Sequence, residues 1–119
     1  VSVVIGVNDP ESVKASLVAV RELLADKSRH TTRVYARNER GAHVDAESSR
    51  AVCWCLVGAV RKVTDYKKRQ YHYNWVLNAL FKASGYEGIY ELNDQPKSHK
   101  KVLKLLDKAI AEVSCASSQ

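Results

Sequence analysis

Apolar positions along this chain fall into several helical patterns separated by short alternating runs. The longest nearly unbroken apolar stretch is residues 51–63, A-V-C-W-C-L-V-G-A-V-R-K-V. At helical spacing both of its faces are apolar or small, which predicts a helix buried at the centre of a small domain. Ser48 or Ser49 would cap it, with Arg50 and Arg61 at its margins. A first helix is predicted over residues 10–26. Asn8 or Asp9 can accept from the free amides of its first turn, Pro10 suits its first position, and Val13, Leu17, Val20 and Leu24 form its apolar stripe. A third helix over residues 71–84 would present Trp75, Leu77, Leu80 and Phe81 to the core and stop at Gly85. The fourth, from Ser98 to about Val113, would bury Val102, Leu103, Leu105, Leu106, Ala109, Ile110 and Val113.

Period-2 signals are shorter. Residues 31–36 and 42–44 flank a reversal at N-E-R-G and predict a β-hairpin. I-Y-E-L at residues 89–92 alternates like a strand, and N-D-Q-P after it reads as a turn. The β-branched residues 1–7 suit an arm or strand, and residues 114–119 a frayed tail. The pattern predicts an α+β, helix-dominated fold: about four helices around the buried central one with a small hairpin or sheet. A length of 119 residues fits a single domain.

Composition changes this picture in two respects. No apolar run is long enough to cross a bilayer, so the expectation is a cytoplasmic protein with no membrane contact. The formal net charge of +6 is unevenly spread: residues 27–69 carry eleven Lys and Arg against four Asp and Glu, and residues 97–119 five against two. Lys67, Lys68 and Arg69 interleave with Tyr66, Tyr71 and Tyr73, a mixture that can contact phosphates while rings stack on bases. Lys97, Lys100, Lys101, Lys104 and Lys108 recur at spacings of three and four and form a basic stripe. The residues expected to contact an acidic protein or a nucleic acid are therefore Lys67, Lys68, Arg69, Tyr71, Lys97, Lys100, Lys101 and Lys104. The stripe holds only Lys, which argues against base reading.

Chemistry-bearing residues are sparse. On a central helix Cys53 and Cys55 would point about 200° apart, too divergent to pair with each other or to share an ion. No metal site and no cofactor are expected. A cysteine-dependent hydrolase or transferase would need Cys55 or Cys53 near the helix start, a base from His43, His72 or His99, and Asn93 or Asp94 to orient it. Packed thiols account for the pair more simply. Asn93 and Asp94 suit turn closure, with Arg50 or Arg61 as alternative neighbours of Asp94, and Gly58 suits a close approach to another helix.

W-C-L-V-G-A at residues 54–59 follows a segment with Tyr35, Ala36, Arg37 and Gly41. Leu92, Asn93 and Asp94 then precede a final V-L-x-L-L-D-x-A-I helix. From about Leu17 to Ile110 this resembles a family of small uncharacterised proteins of bacteria and their phages, with W-C-x-x-G-A on a central helix and W-N-D before the last helix. The resemblance implies this order of elements and a bacterial or phage origin, and it implies no activity. Leu92 replaces the late tryptophan, and the basic run 97–101 is a second departure. The combined expectation is a non-enzymatic accessory protein that binds an acidic partner, in an oligomeric state the sequence leaves open.

Overall fold

Helix α1 spans Pro10–Leu23 in the computed structural model, which describes residues 9–117. The expected arm at residues 1–7 lies outside them. The Asp9 side chain accepts from the Glu11 amide at 3.2 Å, Pro10 occupies the first turn, and Val13, Leu17 and Val20 are buried with Leu24 just beyond the helix. The helix stops short of Asp26, which instead caps a 3₁₀ turn at Lys27–Arg29 by accepting from the Ser28 amide at 2.9 Å.

The expected hairpin exists as two-residue strands, β1 Ala36–Arg37 and β2 His43–Val44, paired antiparallel with Ala36 opposite Val44. Asn38 organises the reversal: its Oδ1 accepts from the Arg40 and Ala42 amides, and Gly41 takes the left-handed conformation at φ 82°. Residues 31–35 do not extend the strand. Arg37 pins them instead, donating to Thr31 Oγ1 and the Thr32 carbonyl, and its third bond goes to the Gly41 carbonyl in the turn.

The central element departs most from expectation. Residues 48–63 do not form one helix. Cys53–Trp54 is strand β3, antiparallel to β1 with Ala36 opposite Trp54, so the sheet order is β2-β1-β3. Helix α2 begins only at Leu56 and spans Leu56–Thr64. The flanking backbone extends the ladder: the Val52 amide donates to the Arg37 carbonyl at 2.9 Å and the Cys55 amide to the Tyr35 carbonyl at 3.1 Å. β1 is thereby paired on both edges, the second partner being the β-branched and aromatic residues before Cys55. Ser48 caps only a local turn, accepting from the Arg50 amide.

Helix α3, Gln70–Ala83, buries His72, Tyr73, Val76, Leu80 and Ala83. The expected core face is rotated, because Trp75 is 44% and Phe81 38% exposed. Ser16 Oγ and His72 Nε2 form a 2.7 Å hydrogen bond that ties α3 to α1 through the buried imidazole. Gly85 ends the helix at φ 72° as expected.

Residues 89–92 are not a strand, and Asn93 and Asp94 are not a turn. Both lie in helix α4, Ile89–Asp94, which buries Ile89 and Asn93 four residues apart. Helix α5, Ser98–Ser117, outruns the predicted end at Val113 and buries Val102, Leu105, Leu106 and Ala109, while Leu103, Ile110 and Val113, expected inside, are only half-buried at its margin. His99 Nε2–H donates to the Leu24 carbonyl at 2.7 Å, closing the C-terminus of α1. Five helices and a three-stranded antiparallel sheet among the described residues make the fold helix-dominated α+β. No helix among them is long and apolar enough to cross a membrane.

Candidate functional site

Most residues singled out above lie in the basic segment before and at the start of α3, along α5, or in a cleft at the head of α2. On the basic surface, Lys67 Nζ lies 3.0 Å from Asp45 Oδ2, and the Lys67 amide donates to Glu47 Oε1. The Asp45 hydrogen bond raises the Lys67 ammonium pKa. Lys68 and Arg69 are exposed and make no ion pair among the described residues. The tyrosines divide. Tyr73 is buried, and Tyr66 packs edge-on against it with ring centroids 4.5 Å apart. Arg61 stacks on both, and on Tyr35 at 4.1 Å, so Tyr66 and Tyr73 are turned inward and committed to a cation. Tyr71 is 79% exposed. The interleaving was legible in the sequence. That Arg61 would claim two of the three rings was not, because nothing local marks a contact across a helix-loop-helix.

On α5, Lys100 and Lys104 are exposed without ion pairs among the described residues, and Lys101 Nζ donates to Gln95 Oε1 at 2.7 Å. Lys97 precedes the helix at φ 58°.

The cleft forms where β1, β2, the start of α2 and the end of α4 meet. It has a volume of about 490 Å³, and Cys55, Val57, Tyr35, Tyr90, Asn93 and Asp94 contribute to its wall. Cys55 is the N-cap of α2, its Sγ accepting from the Gly58 amide at 3.2 Å. Gly58 lets the helix lie against β1, since a Cβ there would overlap the Tyr35 carbonyl oxygen. The close approach inferred for Gly58 is therefore to strand-flanking backbone and not to another helix.

Asn93 is the hub. Its Oδ1 accepts from the Leu56 amide at 3.0 Å and from His30 Nε2–H at 2.7 Å, while its Nδ2 donates to the Thr31 carbonyl at 3.2 Å and to Asp94 Oδ1 at 3.1 Å. All four hydrogen-bonding positions of the amide are filled. Asp94 meets neither Arg50 nor Arg61 in a salt bridge; its Oδ1 accepts from the Arg33 amide at 2.8 Å. Burial pushes the His30 pKa below its ordinary value, so the ring is a neutral donor to Asn93 near pH 7.

This geometry bears on the thiol. Burial pushes the Cys55 pKa up, which outweighs the hydrogen bonds from the Gly58 and Val57 amides. The bases named from sequence are dispersed: His72 bonds Ser16, His99 bonds Leu24, and His43 lines the cleft. Among the described residues no group of three His, Cys, Asp or Glu could hold a metal ion.

Residues 8–112 match DUF6197, a family of unknown function. The chain belongs to the DUF6197 family. In this DUF6197 protein the matched span runs from before α1 nearly to the end of α5, so it includes both the cleft and the basic surface. No curated protein and no solved structure matches the chain.

Proposed function

We propose that this is a non-enzymatic accessory protein, bacterial or phage in origin and cytoplasmic, that binds a polyanionic partner. The observation that carries this reading is uncompensated charge. Among the described residues the ion pairs are Arg21–Asp107 and Lys67–Asp45, while Lys68, Arg69, Lys100 and Lys104 stand exposed and unpaired. Such a surface draws acidic protein or nucleic-acid backbone by a field that salt screens. The inward commitment of Tyr66 and Tyr73 reduces base stacking to Tyr71 and favours contacts to charge over contacts to bases.

The test is fluorescence anisotropy with a labelled oligonucleotide and with a poly-glutamate peptide. With about four phosphate contacts, raising salt from about 50 to about 200 mM should weaken oligonucleotide binding roughly 50-fold. Replacing Lys68, Arg69, Lys100 and Lys104 together by Ala should remove most binding at low salt. If neither probe binds at micromolar protein and low salt, the reading fails.

A cysteine-dependent hydrolase or transferase is the second reading, favoured only by the presence of Cys55 and His43 on one cleft wall. The raised thiol pKa opposes it. Cys55 should resist maleimide labelling at neutral pH until denaturant is added; rapid labelling in the folded state would revive the enzyme.

A further inference from the structure

The cleft at the head of α2 holds an arrangement that its structural roles leave unused. Arg33 and Arg37 make the comparison. Arg37 spends its guanidinium on three hydrogen bonds that hold the hairpin together. Arg33 lines the cleft, and its guanidinium makes no hydrogen bond or ion pair among the described residues. Its backbone is held at φ 73°, a conformation that costs a residue with a Cβ, and the 2.8 Å bond from its amide to Asp94 Oδ1 fixes it there. The fold thus strains and anchors the backbone of an arginine whose side chain has no internal task.

The remaining lining fits the same purpose. Val34, Val44 and Val57 supply apolar wall, and the Cys55 thiol beside them stays protonated. Burial, then the hydrogen bond with Tyr35, raises the Tyr90 pKa well above its ordinary value, so this phenol stays protonated and uncharged. Asp94 is the carboxylate of the lining, and one of its oxygens already accepts from the Arg33 amide and Asn93 Nδ2. The Arg33 guanidinium therefore keeps all its N–H donors without an acceptor among the described residues. A volume of about 490 Å³ is ample for a small molecule.

We propose that this cleft binds a small amphiphilic anion, with its carboxylate or phosphate gripped by Arg33 and its apolar body lying against Val34, Val44 and Val57. The planar fork of arginine suits either oxyanion. None of Lys67, Lys68, Arg69, Lys97, Lys100, Lys101 or Lys104 lines the cleft, so the site stands independently of the polyanion surface.

Valine-methyl NMR spectra of the full chain, titrated with benzoate, phenyl phosphate and benzyl alcohol, test this. Benzoate or phenyl phosphate should shift the methyls of Val34, Val44 and Val57 saturably, and the stronger of the two identifies the head group. Benzyl alcohol should bind at least about tenfold more weakly, the loss of one charge-assisted contact. Arg33→Gln, at an exposed position, should weaken the anion about tenfold and leave the alcohol unchanged. The proposal is overturned if the alcohol binds as well as the anions, if Arg33→Gln leaves anion affinity intact, or if no saturable shift occurs at these methyls. The same spectra show that the variant is folded.

Discussion

Asn93→Ala should destabilise the protein by about 3 kcal/mol or more, read as a lower urea midpoint at unchanged slope. Asn93 is 2% exposed, and four partners depend on it. Truncation leaves the Leu56 amide, the Thr31 carbonyl and the His30 ring without their bonds in a site from which the amide had excluded water. A buried orphan costs about 1–3 kcal/mol, more than the roughly 1 kcal/mol net value of a hydrogen bond, because desolvation is no longer compensated; the Leu56 amide is fully of this kind, and the Thr31 carbonyl and His30 ring are part-buried. Water entering from the cleft recovers part of this, which sets the estimate near the lower end. His30→Ala should cost less, since it removes one of the four bonds. The two changes should be non-additive in a double-mutant cycle. A loss under 1 kcal/mol for Asn93→Ala would show that the hub is not holding α4, α2 and the 3₁₀ turn together.

Gly58→Ala should be similarly damaging, although it places a better helix former inside a helix. Propensity alone favours Ala by about 1 kcal/mol. Against that, the new Cβ would lie 2.8 Å from the Tyr35 carbonyl carbon and overlap its oxygen. The obstacle is backbone, and it cannot step aside: the Tyr35 carbonyl accepts from the Cys55 amide at 3.1 Å, and Ala36 next to it is paired with both Val44 and Trp54. Relief requires α2 to lift off β1, at about 3 kcal/mol or more, so overlap outweighs propensity. Gly41→Ala is the control. It meets no atom within 4 Å and carries only the cost of φ 82°, about 1–2 kcal/mol. Thermal unfolding should rank Gly58→Ala well below Gly41→Ala; the reverse order would remove the close approach as the reason for glycine at position 58.

The elements legible in the chain share one property: their signals are local. Asp9 and Pro10 open α1, and Val13, Leu17 and Val20 face its core side, as their spacing predicts. Asn38 and Gly41 turn the hairpin, Gly85 closes α3, and α5 buries its periodic apolar face. The misread elements were ambiguous in kind. A continuous apolar run can be a buried helix or a buried strand followed by a helix, and period alone does not separate them. I-Y-E-L alternates, yet Ile89 also sits four residues before Asn93, and burial of that pair selects the helix. On α3, Trp75 and Phe81 weighed more by size than the shorter residues beside them. Val76 and Ala83 nevertheless take the core beside Leu80, which is buried as expected, and His72 lies inside with Ser16 as a hydrogen-bond partner.

The candidate site divides in the same manner. The basic residues were legible because charge needs no partner to be recognised, and Lys68, Arg69, Lys100 and Lys104 are exposed as their pattern predicts. The cleft was not, because its walls come from positions as far apart as Arg33 and Asp94. Arg33 carries no sequence signal that separates it from Arg37.

By itself the sequence determined the helix-dominated class, the start of α1, the end of α3, the inner positions of α5 and the sign of the surface, all set by interactions within a few residues or by charge. The tertiary structure alone decided that the apolar run 51–63 changes from strand to helix at Cys55: pairing with β1 takes Cys53 and Trp54 into the sheet, and beside the local Cys55 cap an acceptor 37 residues away, the Asn93 side chain, takes the Leu56 amide. A backbone amide left free at a buried helix end must find its partner wherever the fold supplies one. That requirement joins α2 to α4 and gives the cleft its shape.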